Sequence, residues 1–153
     1  MAYRVIRENN RSEGLPVLAG EHIIAGAPVM LDASSGLAFK KANETDMPYG
    51  LACESTDPLP MAPASGPTVG QGYDYTQYAR GGKVAAFVTG SELELFDDGH
   101  GLPFVAAGPW LVNAPVYVSA AGLLAATGTV VVGSVVDFDN STAATRLRVK
   151  FVL

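Results

Sequence analysis

The side chains able to do covalent or acid–base chemistry are few and scattered. The chain has one cysteine, Cys53, and two histidines, His22 and His100, whereas nucleophilic catalysis needs a nucleophile and a base brought together. Cys53 follows Gly50-Leu51-Ala52 in a segment that reads as a strand, where a thiol behaves as a small buried apolar group. His22 stands beside Glu21 at a hairpin entry and His100 between two glycines in a turn, so both read as surface residues. A non-enzymatic protein is expected. Two histidines and one cysteine without ligand spacing exclude a zinc site in practice. Asp97-Asp98-Gly99 and Asp137-Phe138-Asp139-Asn140 offer oxygens suited to Ca²⁺ but lack the count and spacing of an EF-hand loop. Acidic residues also satisfy turn N–H groups, and the two readings stay open; no cofactor is expected. Gly70-Gln71-Gly72 and Gly81-Gly82 are not phosphate loops, because no Lys-Ser or Lys-Thr pair follows and no strand-to-helix context exists. Tyr73, Tyr75, Tyr78 and Trp110 could form an aromatic platform for a sugar or a base, or pack in the core and at a subunit interface, where aromatics are enriched.

Composition narrows the classes further. At 153 residues the chain is about one domain. Hydrophobic residues make up 48 % and charged residues only 16 %, and the mean hydropathy is +0.22. Few polar residues are left to cover the surface, so apolar area is expected to be buried against another chain. The 17 glycines and 10 prolines suit many short strands joined by turns. No stretch approaches the roughly 18 apolar residues of a membrane span, and the start of the chain, with Arg4, Arg7, Glu8 and Arg11, is unlike a secretory signal. A single cysteine allows no internal disulfide and suits a reducing compartment. The net charge of −5 is opposite to the basic field that non-specific nucleic-acid binding requires. Basic residues gather at Arg4/Arg7/Arg11 and Arg146/Arg148/Lys150, and acidic ones at Glu92, Glu94, Asp97, Asp98, Asp137 and Asp139. Such separation suits contacts between copies, or simply a solvated face.

The elements that must carry these residues are strands. Residues 1–14 are polar, show no sustained period and read as an extended, non-core arm. Residues 15–153 read as a single β domain. Ala27-Pro28-Val29-Met30-Leu31, a turn at Ser34-Ser35-Gly36 and Leu37-Ala38 are echoed by Ala114-Pro115-Val116-Tyr117-Val118, a turn at Ala121-Gly122 and Leu123-Leu124-Ala125. Each copy returns on a glycine strand, Tyr49-Gly50-Leu51-Ala52 and Val132-Gly133-Ser134-Val135. Between them, residues 54–82 form a long Pro/Gly-rich loop with Pro58, Pro60, Pro63 and Pro67, a density that forbids helix and central strand alike; Tyr73-Asp74-Tyr75 begins a strand. Glu92-Leu93-Glu94-Leu95 alternates as a strand with one wet face. Val130–Val136 is almost continuously apolar and is expected to be covered on both faces. In the last strand Arg146, Arg148 and Lys150 face one way, Leu147, Val149, Phe151 and Leu153 the other. No helical period is sustained. The expectation is an all-β barrel or sandwich of roughly eight to eleven short antiparallel strands with a repeated hairpin unit.

The order of these features, from the arm through Gly26-Ala27-Pro28-Val29, Tyr49-Gly50-Leu51-Ala52, Arg80-Gly81-Gly82-Lys83-Val84-Ala85-Ala86-Phe87-Val88, Ala114-Pro115-Val116-Tyr117-Val118 and Val132-Gly133-Ser134-Val135 to a closing strand, resembles the structural cement, or head decoration, proteins of tailed bacteriophages. In that family a Gly-x-x-Val-Tyr-Val hairpin and an Arg-x-Gly-x-Val-x-Val strand recur in this order, and the resemblance covers about residues 15–153. This chain departs from it with Ala-Pro where an acidic residue commonly precedes the hairpin valine, and with the proline-rich 58–67 segment. The resemblance implies a non-enzymatic protein of the virion, assembled in the host cytoplasm, that binds the outside of a capsid, usually as a homotrimer. Its partners would be the major capsid protein and itself, with no nucleic acid and no membrane. On that reading Arg4, Arg7, Arg11, Tyr73, Tyr75, Tyr78, Trp110 and Tyr117 are candidate capsid or subunit contacts. The alternative is a β-sandwich carbohydrate- or receptor-binding module of a virion fibre or spike, built on the same exposed aromatics.

Overall fold

The computed structural model describes residues 3–7, 12, 14–34, 38–56, 83–88 and 90–152. Among these the chain is all-β, with twelve strands: β1 Tyr3–Arg7, β2 Leu15–Pro16, β3 Pro28–Leu31, β4 Phe39–Lys41, β5 Gly50–Ala52, β6 Lys83–Val84, β7 Ala86–Phe87, β8 Glu92–Phe96, β9 Pro115–Val118, β10 Leu124–Ala125, β11 Val131–Phe138 and β12 Arg146–Phe151. Four are only two residues long, too short to show a period in sequence, so the number exceeds the expected eight to eleven. They form antiparallel sheets of six strands in the order β1-β8-β12-β11-β9-β10, of four in the order β4-β3-β5-β7, and of two, β2-β6.

The layers follow from side-chain alternation. In the four-stranded sheet Leu51 and Phe87 join the larger core with Leu93, Leu95, Val116, Leu147 and Phe151 of the six-stranded sheet. Their neighbours Ala52 and Ala86 turn the other way, into a second cluster with Val29, Phe39 and Val84 against which Leu15 and Val17 pack. The four-stranded sheet is thus covered on both faces, and all three residues of β5 are buried. The expectation for Val130–Val136 is corrected: β11 lies in the outer sheet, where Val131 is 46 % exposed. Two bulges, between Val131 and Gly133 and between Val135 and Asp137, reset which valines point inward, and each bulge shifts the alternation by one residue. β8 and β12 carry the alternation expected of them, with Leu93, Leu95, Leu147, Val149 and Phe151 buried.

The duplication extends to the backbone. The strand order β4-β3-β5-β7 is repeated as β10-β9-β11-β12. Val29 stands opposite Gly50 and Val116 opposite Gly133. Gly26 donates its N–H to Ala52 and Ala52 to Ala27, at 2.8 and 2.9 Å; Asn113 donates to Val135 and Val135 to Ala114, at 2.8 and 2.9 Å. The turn residue preceding each Ala-Pro is left-handed, Gly26 at φ 89° and Asn113 at φ 66°, a conformation that asparagine tolerates better than most side chains. Each outer hairpin strand is flanked by a parallel bridge, Val17 to Phe39 and Phe104 to Leu124. The repeat therefore begins earlier than the hairpins indicate, at Gly14-Leu15-Pro16-Val17 and Gly101-Leu102-Pro103-Phe104.

The arm also differs from expectation. Tyr3–Arg7 is a strand of the six-stranded sheet, paired with β8 from Tyr3 opposite Leu95 to Arg7 opposite Glu92. Tyr3 is buried, donates its hydroxyl to the Cys53 carbonyl at 2.9 Å and meets Phe87 edge-on with ring centroids 5.0 Å apart. Tyr3, with Val5 packed against the same core, anchors the start of a segment in which the arginines Arg4 and Arg7 and the polar residues that follow hide this role in sequence.

Candidate interaction surface

The outer face of the six-stranded sheet gathers charges from both ends of the chain. Strand alternation sends Leu93, Leu95, Leu147 and Val149 inward, which leaves Glu92, Glu94, Arg146, Arg148 and Lys150 outward. Register then pairs them. Arg4 on β1 reaches Glu94 on β8 at 3.0 Å, Glu94 lies 3.8 Å from Arg146 on β12, and Arg146 lies 3.3 Å from Asp137 on β11. Arg148 donates to Glu92 at 2.9 Å. The groups separate in sequence are neighbours across strands, where they pair with one another on one solvent-facing side of the sheet. Each such pair contributes about 0.2–1 kcal/mol; the ladder chiefly makes this a charged, ion-paired face.

Large apolar residues that periodicity does not single out are also exposed. Val131 and Val152 are 46 % and 48 % exposed and lie on adjacent strand ends, where Val152 donates its N–H to the Val132 carbonyl at 2.8 Å. Leu111 and Val112, in the turn before β9, are 57 % and 55 % exposed. Met47 and Tyr49 are exposed before β5. Only the repeat itself, in which Leu111 and Val112 match Ile24 and Ala25, could have drawn attention to the turn.

The sequence-derived contact residues divide. Arg4 is exposed and engaged with Glu94. Arg7 pairs through its backbone with Glu92, and its side chain, like Arg11, Tyr73, Tyr75, Tyr78 and most of the 54–82 loop, lies outside the described residues. Tyr117 is half-buried opposite Val131, on the outward side of a strand whose Val116 and Val118 face the core. For Trp110 the core reading holds and the contact reading is corrected: it is fully buried, packs edge-on to Phe104 with ring centroids 6.1 Å apart and donates Nε1–H to the Ala106 carbonyl at 3.3 Å. A side chain inside the core cannot form an exposed platform.

The chemical candidates are engaged in local structure. His22 is exposed. His100 is not the surface residue expected, with its side chain 10 % exposed and Nδ1 2.8 Å from Asp98 Oδ1. Asp97 Oδ1 accepts N–H bonds from Gly99 at 2.7 Å and Gly101 at 3.0 Å, which organises that turn. Asp139 accepts from the Thr145 hydroxyl and from the N–H groups of Thr145 and Arg146. These bonds, the Thr145 hydroxyl first, hold its carboxyl well below the usual carboxylate range. Asn140 Oδ1 accepts from Thr142 and Ala143. Both acidic turns thus spend oxygens on their own backbone, and no group of three or more His, Cys, Asp or Glu side chains gathers among the described residues. Between the sheets, Leu51, Val116, Leu124, Val132, Val149 and Phe151 line an apolar seam too tight to admit water. No helix of the described residues is long and apolar enough to cross a membrane.

No family model, no curated protein and no solved structure matches this chain.

Proposed function

We propose that this protein is a non-enzymatic capsid decoration, or cement, protein that binds the outer surface of an assembled phage head and reinforces contacts between capsomers. The observation that carries the reading is the ordered series of hairpin and glycine-strand signatures. Each copy folds as the same unit, and the outer sheet presents an ion-paired face with Val131 and Val152 exposed at one end. Excess apolar composition supports self-association, with a homotrimer as the state that the family resemblance implies. Many weak contacts repeated over a lattice gain by avidity what each one lacks. A ligand that binds only the assembled shell stabilises that shell in proportion to the logarithm of its concentration over its Kd.

The test is to mix the purified chain with undecorated capsids, image the product and follow genome release on heating. Ordered density on the outer surface and a raised release temperature are expected. Bare and treated particles that release at the same temperature would overturn the cementing role. Binding to a glycan array without capsid binding would instead select the fibre or spike module, although the burial of Trp110 removes one of the aromatics that reading relies on.

A further inference from the structure

The two repeats meet through an interface whose counterpart is left open. The first repeat's turn, Ile24-Ala25-Gly26, packs on the start of the second. A Cβ on Gly26 would stand 2.8 Å from Leu95 Cδ2 and 3.3 Å from Pro103 Cγ, and one on Gly101 would stand 3.6 Å from Ile24 Cδ1. Ala25 is 0 % exposed, and Gly26 and Pro103 are buried. In the second repeat the matching turn is Leu111-Val112-Asn113, with Leu111 and Val112 more than half exposed. The residue matching Pro103 at the start of the first repeat is Pro16, and it too is exposed. If the repeats were related by a closed twofold axis, this second turn would cover Pro16 within the same chain. Among the described residues it does not, so the contact between repeats is head-to-tail, with the Leu111–Val112 turn exposed at one end and Pro16 at the other, where Pro16 pairs with Lys83 and a Cβ on Gly14 would lie 3.5 Å from Lys83 Cβ. A heterologous contact of this kind closes into a ring or runs on as a filament when copies are joined.

We propose that the Leu111–Val112 turn of one protomer seats on the Leu15–Pro16 segment of the next copy, reproducing between chains the contact that Ile24–Gly26 makes with Pro103 within one. The occupant is a second copy of this chain, because this chain supplies both halves and already shows how they fit. Burial of two aliphatic side chains drives the contact. The inference rests on the self-association in the proposed function and names its contact; it is tested on the free protein, so a failure of capsid binding leaves it standing.

Sedimentation of the full chain tests it, alongside Leu111→Glu/Val112→Glu and, separately, Pro16→Glu. All three substitutions are at exposed positions, and fluorescence of the buried Trp110 reports that each variant is folded. The wild type is expected to form a closed oligomer of three or more copies. Each variant is expected to be monomeric, with self-affinity reduced at least tenfold. An equimolar mixture of the two variants retains one intact contact per pair and is expected to stop at the dimer. As a second measurement, Pro16→Cys/Leu111→Cys is expected to cross-link between chains on oxidation. A monomeric wild type, an undiminished oligomer in the Leu111→Glu/Val112→Glu variant, a mixture that stays monomeric, or absence of the cross-link would each overturn the proposal.

Discussion

Gly50 and Gly133 occupy the same place in the two halves of the molecule. A Cβ added to Gly50 would lie 2.4 Å from the Phe87 carbonyl oxygen, and one added to Gly133 would lie 2.2 Å from that of Lys150. Each is opposite the valine of its Ala-Pro-Val strand, and each lets the next strand, β7 or β12, approach closely. The atom in the way is backbone in both cases, so no rotamer change relieves it.

Gly50→Ala and Gly133→Ala are therefore expected to destabilise by about 1–3 kcal/mol each, the usual cost of overpacking. Gly20 provides the contrast: its φ is +85° but nothing lies within 4 Å of an added Cβ. Gly20→Ala should cost about 1 kcal/mol, from backbone strain alone. Thermal denaturation of the three variants checks the ranking, and equal losses would show that conformation, not space, sets it.

Anchoring of the first strand by Tyr3 separates stability from binding. Tyr3→Phe loses the hydrogen bond to the Cys53 carbonyl at 2.9 Å and is expected to cost about 0.5–1.5 kcal/mol. Tyr3→Ala also empties the site beside Phe87 and should cost about 3–5 kcal/mol, as for other large-to-small aromatic changes. Urea denaturation of the free chain measures both. A Tyr3→Ala protein as stable as the parent would mean that β1 contributes little outside an assembly.

Two buried serines should respond in opposite directions. Ser55 Oγ accepts the buried Ala25 N–H at 2.9 Å, so Ser55→Ala orphans a donor and is expected to cost about 1–3 kcal/mol. Ser91 Oγ is buried with no hydrogen-bond partner among the described residues. Ser91→Ala removes an unsatisfied group and should be neutral or stabilising by up to about 1 kcal/mol. Chemical denaturation curves for the pair decide it.

The turn built on Asp139 makes a pH-dependent contribution with a definite sign. Its folded carboxyl is held below the ordinary value of 3.8 by bonds from Thr145 and Arg146. The stabilisation is accordingly complete above that value and is lost as pH falls through the folded one. Asp139→Asn is expected to lower the melting temperature at neutral pH, with the difference from wild type narrowing below about pH 4. Melting curves across that range test it; a difference that widens with acid would contradict the assignment.

The sequence by itself determined the all-β class, the one-wet-face character of β8 and β12 and the existence of two hairpin copies. Period-two alternation and turn residues are local properties that need no knowledge of what lies opposite. Layering was decided only by tertiary structure. Short apolar runs do not reveal whether one face or two will be covered, so Gly50–Ala52 proved doubly buried while Val131–Phe138, interrupted by bulges, lay outermost. Charge pairing was likewise non-local: Arg4, Glu94, Arg146 and Asp137 come together only because β1, β8, β12 and β11 are adjacent. An aromatic residue carries no mark of its own burial, which left Trp110 readable as surface and Tyr3 as part of a loose arm. The exposed turn at Leu111–Val112 was visible in neither composition nor period, because which of two matching turns is covered depends on how the two repeats pack.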